Sequence, residues 1–170
     1  MIISLPADAA VLLIGPSGAG KSTFAARHFA ATEVLSSDEM RAMVADDPND
    51  QQATEAAFEL LHTALSLRLA LRRLTVVDAT NVEGWARQRP LAIARRQRRP
   101  AVAIVLDLPL DICLKRNASR PKPRLAAAIR RQHRSLAGSL ESLAAEGFAA
   151  TWVLRTETEV DGAQVERERI

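Results

Sequence analysis

Val11-Leu-Leu-Ile-Gly-Pro-Ser-Gly-Ala-Gly-Lys-Ser-Thr23 is the stretch on which the fold turns. Residues 11–14 form a short apolar run closed by Gly15, the pattern of a parallel strand buried on both faces. From Gly15 to Ser22 the residues match Gly-x4-Gly-Lys-Ser, the phosphate-binding P-loop. Glycines let backbone N–H groups turn inward around an anion without side-chain clashes, and the helix that follows aims its positive end at the same place. Three of the seven glycines fall here, so the turn is built for a ligand rather than for reversal alone. Lys21 is expected to reach the β- and γ-phosphates of ATP or another nucleoside triphosphate, and the Ser22 hydroxyl to ligate Mg²⁺ or another divalent cation.

Working outward, helix is expected over 22–31 and a second strand over 33–36. Ser36 with Glu39 three residues on is a capping-box pattern, so a helix should start there. After the turn-rich loop 46–50, apolar residues at 57, 60, 61, 64, 67 and 71 give a long amphipathic helix over 51–73. A third strand over 74–77 ends at Asp78, and an Arg-rich helix over 83–98 is stopped by Pro100. Strand 101–106, a short helix over 110–117, a basic loop over 119–123 and a long helix over 125–145 follow. Gly147 ends that helix, 151–154 is a fifth strand, and the charged tail has no clear assignment. Strands alternating with helices imply one α/β domain over 1–170, a three-layer fold with a central parallel sheet flanked by helices and a basic lid at about 116–124. Ligands in such sheets bind beyond the carboxyl ends of the strands.

Composition narrows the function. The 170 residues carry 23 Lys and Arg against 20 Asp and Glu, but the bases crowd 87–99 and 115–134, which suits a phosphate-bearing partner. One cysteine, Cys113, excludes an internal disulfide, and three scattered His residues argue against a zinc cage. Residues 2–5 are too short for a secretory leader and are interrupted by Pro6, Ala7 and Asp8. No stretch of about 20 apolar residues offers a membrane span, so the expected location is the cytoplasm. There is no guanine-reading Asn-Lys-x-Asp motif and no ABC signature, and the domain is smaller than most motor cores, which favours a small kinase.

A kinase needs a proton acceptor near the attacking hydroxyl and a means of holding the acceptor in line. Asp38, just after strand two, suits the first task. Arg41, one helical turn later, can grip an acceptor phosphate with two N–H groups. Asp78 can orient Arg41 or reach the metal through water. Thr80 and Asn81 are candidate acceptor contacts, with Asn81 alternatively a helix N-cap. Arg116 and Arg120, four residues apart, are placed to neutralise charge on the transferring group, in a loop whose Pro121 and Pro123 suit a closing lid.

Together these segments resemble the kinase domain of bacterial polynucleotide kinase-phosphatases, end-healing enzymes of RNA repair. The resemblance rests on Gly-x-Ser-Gly-x-Gly-Lys-Ser-Thr-Phe over 15–24, Glu33-Val-Leu-Ser-Ser-Asp38, Arg41, Leu74-Thr-Val-Val-Asp-Ala-Thr-Asn81, and Arg116-Asn117 with Arg120. It extends to the 46–51 loop and to Glu146-Gly147-Phe148. It implies that Gly15, Ser17, Gly18, Ala19, Gly20, Lys21, Ser22 and Thr23 bind the nucleotide, with Arg116 and Arg120 clamping the donor phosphates. Asp38 would activate the 5′-hydroxyl of RNA or DNA and Arg41 would hold its backbone phosphate, with Gln51, Asp78, Thr80 and Asn81 on the acceptor side. In that family the kinase is usually one module beside phosphatase and ligase-like domains, so this chain is either an excised module or a stand-alone protein. Arg120-Pro-Lys-Pro-Arg124 departs from the usual lid.

Two other readings stay open. A kinase of a small hydroxyl metabolite or antibiotic would share the P-loop and the acid after strand two, but would need an enclosed acceptor pocket. A nucleotide-dependent binding module would hydrolyse ATP slowly and transfer nothing, and would have no use for a carboxylate at position 38.

Overall fold

The computed structural model describes residues 1–168. In chain order the elements are β1 (Ile2–Pro6), β2 (Ala10–Ile14), α1 (Lys21–His28), β3 (Val34–Ser36), α2 (Ser37–Ala45), α3 (Thr54–Ala70) and β4 (Thr75–Asp78). Then come α4 (Gly84–Arg96), β5 (Ala101–Leu106), α5 (Leu110–Ala118), α6 (Ala126–Ser139), β6 (Ala150–Leu154), α7 (Glu157–Asp161) and β7 (Gln164–Glu168). Short 3₁₀ turns at Ala31–Glu33, Gln51–Ala53 and Glu141–Ala145 trim the helices expected over 22–31, 51–73 and 125–145.

Five strands form a wholly parallel sheet in the order β3-β4-β2-β5-β6, with Leu12 opposite Val77 on one side and Ala103 on the other. Parallel neighbours require crossovers, and the helices supply them. All five residues of β2 are buried, which explains its lack of alternation. The sheet's two faces are nevertheless distinct. Val11, Leu13, Val76, Val102 and Ile104 pack with Phe24 of α1 and Cys113 of α5. Leu12, Ile14, Val77, Ala103 and Val105 pack with Met40 of α2, Leu61 and Leu65 of α3, and Leu91 of α4. The result is three layers, as the sequence implies.

α6 differs from the other helices in belonging to both cores, through Ile129 on one side and Leu136 on the other. Its bonds to Ser17, Leu108 and Val82 place it across the carboxyl ends of β2, β5 and β4 instead of over a face.

Two strands lie outside what the sequence suggested. β1 and β7 pair in parallel, Ile2 with Gln164 through Pro6 with Glu168, and form a second small sheet. Ile3, Leu5, Val160 and Ala163 of this terminal unit join the core that contains Phe24. No helix among the described residues is long and apolar enough to cross a membrane.

Candidate active site

The P-loop begins where β2 meets β4. Gly15 N–H donates to the Thr80 carbonyl across 2.9 Å, fixing the loop to the carboxyl end of the neighbouring strand. Gly18 and Gly20 hold φ of +84° and +92°, which favour glycine. A Cβ on Gly18 would come within 2.2 Å of the Cys113 carbonyl, so α5 packs directly against the loop and no other residue fits there. Ser17 N–H donates to Gln132 Oε1 at 2.8 Å, and Ala19 N–H to the Pro16 carbonyl at 3.1 Å.

Lys21 is only 8% exposed, and its Nζ donates to the carbonyls of Gly15 (2.8 Å) and Pro16 (3.0 Å). Burial pushes its pKa down to about 8, against the opposing pull of Asp78. The cation is stored on its own loop, ready to be exchanged onto a phosphate.

Ser22 Oγ donates to Asp78 Oδ2 at 2.7 Å. A hydroxyl and a carboxylate side by side at the loop's mouth are the oxygen donors that a hard divalent cation takes when phosphates complete its shell. Thr23, Gly18, Gly20, Arg27, Arg116 and Arg120 line an open cavity of about 260 Å³ beside the loop. Of the nucleotide-binding residues expected from the sequence, Gly18, Gly20, Thr23, Arg116 and Arg120 line this cavity.

Asp38 sits in the first turn of α2, behind the cap that Ser36 Oγ makes with Glu39 N–H. Its carboxylate is half exposed, and Oδ1 receives both Arg41 Nη1 (2.8 Å) and Arg124 Nη2 (3.0 Å). Arg41 is in turn held by Thr54 Oγ1 at 3.3 Å and lies 6.0 Å from the centre of the Phe58 ring. Arg124 was expected only as a flanking charge of the lid. Its position is set by Asn117, whose buried amide donates to the Arg124 carbonyl (2.8 Å) and accepts from its N–H (2.9 Å). Asp47 lies within electrostatic reach of Lys122 and Arg124, so the lid loop faces the 46–50 loop as well.

Several expectations need correction. Arg116 lies in α5, as the helix expected over 110–117 has it, so of the lid read at about 116–124 the loop proper is 119–125. Arg116 Nη2 donates to Glu157 Oε1 at 2.7 Å and its Nη1 to the Ala19 carbonyl at 3.4 Å, while Arg120 is exposed at the cavity. Asn81, read as an acceptor contact or an N-cap, is neither. It has φ of +50°, is buried, and donates its amide to the Leu13 carbonyl at 2.8 Å, while Glu83 precedes α4. Asp78 engages Ser22, not Arg41. Thr80 is half-buried and contributes its carbonyl to Gly15. Gln51 is exposed, with its amide on the Asn49 carbonyl.

The Arg-rich helix also changes meaning. Arg87 is completely buried and grips Glu146 with two bonds of 2.7 and 2.6 Å, adding a third to the Asn81 carbonyl at 2.8 Å. Arg89 pairs with Glu59, and Arg99 pairs with Asp8 at 2.6 Å. These cations serve the fold. Gln132, which positions the loop, was not singled out, because nothing local in the sequence marks it, and Asn117 was quoted only beside Arg116, with no role at Arg124.

A family model described as an AAA domain matches residues 11–143. No curated protein sequence matches the chain significantly. Among solved structures, a chain of the Pnkp1/Rnl/Hen1 RNA repair complex is similar at TM-score 0.69 and 23% identity, covering 82% of this chain and 47% of that one. This chain therefore spans about half the length of that relative. The Mycobacterium tuberculosis APS kinase CysC, solved with AMPPNP and APS, is similar at TM-score 0.58 and 19% identity, covering 92% and 93% of the two chains. The Acinetobacter baumannii shikimate kinase, solved with shikimate, gives TM-score 0.53 at 23% identity over 89% and 87%.

Proposed function

We infer the reaction from one premise: this chain belongs to the AAA-domain family matched over residues 11–143 and has the fold of a P-loop kinase. The reaction is transfer of the γ-phosphoryl group of ATP, or of another nucleoside triphosphate, to the 5′-hydroxyl end of RNA or DNA. The observation that carries this reading is Asp38, half exposed beyond the carboxyl end of β3, with Arg41 and Arg124 on the same carboxylate oxygen. A base flanked by two cations suits an alcohol that arrives with a phosphate attached, as a 5′-terminal nucleotide does.

The geometry supports the following roles. Lys21 leaves the Gly15 and Pro16 carbonyls for the β- and γ-phosphates, where its charge favours the transferring group. The N–H groups of the loop and of the start of α1 hold the donor. Ser22 and Asp78 would hold Mg²⁺, which supplies positive charge between the phosphates. Asp38 accepts the proton of the 5′-hydroxyl as its oxygen bonds to phosphorus and the bond to the leaving nucleoside diphosphate breaks. Arg41 and Arg124 release Asp38 for the acceptor's own phosphate. Arg116 and Arg120 face the donor cavity and offset charge on the leaving oxygens.

The domain is proposed as one kinase unit over 1–170 with a lid, acting in the cytoplasm. Given the half-length match to the RNA repair chain, it is also proposed as a module of the kind that works beside phosphatase and ligase-like domains.

A second reading, a kinase of a small anionic alcohol, is favoured by the pairing of Arg87, Arg89 and Arg99 within the protein and by the likeness to the APS kinase. Incubation with γ-labelled ATP, Mg²⁺ and 5′-hydroxyl RNA and DNA oligomers, with shikimate and gluconate alongside, separates the readings. Label on the oligomers is the expected result. Label on a small alcohol alone would favour the second reading, and release only to water would favour a module that transfers nothing.

A further inference from the structure

We propose that the outer face of α6, together with Trp85, is the track along which a single-stranded polynucleotide lies with its 5′ end at Asp38; this rests on the reaction just proposed. α6 lies across the carboxyl ends of the strands, where the site is. Its inner face is clipped there by four contacts. Gln132 Oε1 takes the Ser17 N–H at 2.8 Å and His133 Nε2 lies 3.2 Å from the Leu108 carbonyl. Ser135 Oγ donates to Glu83 Oε1 at 2.7 Å, and Ser139 Oγ to the Val82 carbonyl at 2.8 Å. These contacts run from the P-loop to the start of α4, so the helix bridges the donor site and the segment after β4.

The opposite face is cationic. Arg130, Arg131 and Arg134 are all exposed, and among the described residues none of them takes part in an ion pair. That separates them from Arg87, Arg89 and Arg99 of the neighbouring basic segment. Just before α6 stands Arg124, already on Asp38 at 3.0 Å. Near the helix's far half stands Trp85, 73% exposed and two residues beyond the Glu83 that Ser135 holds. An exposed indole on a segment that Ser135 ties to the helix, together with unpaired guanidinium groups on that helix, matches what binds single strands without sequence preference: cations for the backbone and an aromatic face for a base.

Dimensions fit a short strand. From Ala126 to Arg134 the helix rises about 12 Å at 1.5 Å per residue. That length suits a short stretch of strand behind the reacting end. A mononucleotide acceptor would touch only Asp38, Arg41 and Arg124, whereas a longer one gains the track.

The chain's two tryptophans, Trp85 and the partly buried Trp152, make the test direct. A 5′-hydroxyl DNA ten-mer, titrated without ATP, should quench the fluorescence of Trp85, and Trp85→Phe should abolish that quenching. Anisotropy of the same ten-mer carrying a 3′-terminal dye should show about tenfold weaker binding to Trp85→Ala. In the Arg130→Ala/Arg131→Ala/Arg134→Ala variant the slope of log affinity against log salt should fall by about 2 to 3. In turnover, each variant's preference for the ten-mer over a nucleoside 3′-monophosphate should fall about tenfold. If wild-type protein phosphorylates the ten-mer while both variants bind and prefer it as wild type does, the track is refuted and the reaction stands. Equal affinity for polyglutamate, with no quenching by DNA, would also refute the track. No transfer to any oligonucleotide by wild-type protein would remove the reaction, and the track with it.

Discussion

Arg124 reaches 86 residues back along the chain to place its Nη2 3.0 Å from Asp38 Oδ1, on the oxygen that Arg41 also holds. Asn117 fixes the backbone of Arg124 from both sides, so the lid loop 119–125 is drawn toward α2 and not only toward the nucleotide cavity. The loop is therefore tied to the carboxylate proposed to serve the acceptor. Arg124→Ala should lower kcat/KM for a 5′-hydroxyl oligonucleotide about tenfold, the cost of one charge-assisted contact. ATP affinity, measured separately by calorimetry, should stay within about twofold. An equal loss in both would place Arg124 on the donor side.

Lys21 gives the donor site a pH dependence. Burial lowers its pKa from the ordinary lysine value to about 8, so the free protein loses this cation as pH rises through that point. ATP binding should weaken above about pH 8 and be steady below it, down to where the phosphates themselves protonate. Lys21→Met should bind ATP weakly at every pH, with that alkaline decline absent. An alkaline decline that survives in Lys21→Met would assign it to another group.

Two arginine–glutamate pairs on α4 should differ in what they contribute. Arg87 is fully buried against Glu146 and also holds the Asn81 carbonyl, so Arg87→Ala leaves a carboxylate and a turn without their partner. Burial holds such losses at roughly 3–5 kcal/mol. Arg89 and Glu59 are both about half exposed, and solvent screens such a pair so that it adds little. In urea denaturation Arg87→Ala should therefore unfold at a clearly lower midpoint than Arg89→Ala. Similar midpoints would mean that the buried pair is replaceable.

His62 should limit acid stability. It is 8% exposed, its Nδ1 has no hydrogen-bond partner, and burial, with Arg89 adding to it and Glu59 opposing, pushes its pKa down to about 4. Between pH 6.5 and 4 the unfolded chain takes up a proton that the folded protein refuses, so stability falls as pH falls across that window. The loss approaches about 3 kcal/mol at its acid end. His62→Phe should flatten the profile of urea midpoint against pH in this range, and an unchanged acid limb would move the effect elsewhere.

How much could be read from the sequence follows from distance along the chain. The P-loop was legible because its glycine positions and Lys21 are fixed by local backbone geometry, and Ser36 capped α2 for the same reason. Asp38 and Arg41, three residues apart on one helix, were legible as a pair. The arginines of the basic segment 87–99 were misread because their partners lie far off, Glu59 at 30 residues, Glu146 at 59 and Asp8 at 91. Asn81 looked like an acceptor contact from its place just after the third strand, yet its amide donates to the Leu13 carbonyl. The β1–β7 pair escaped because its two strands stand at opposite ends of the chain, and neither is apolar enough alone to declare a core strand.

Asp38→Asn tests the central claim most directly. The amide keeps the size and can still accept from Arg124, but cannot take the proton of the 5′-hydroxyl. With γ-labelled ATP, Mg²⁺ and a 5′-hydroxyl oligonucleotide, single-turnover transfer should fall by about 10²- to 10⁴-fold while ATP binding and thermal stability stay near wild type. Transfer to the oligonucleotide at close to the wild-type rate would contradict the account.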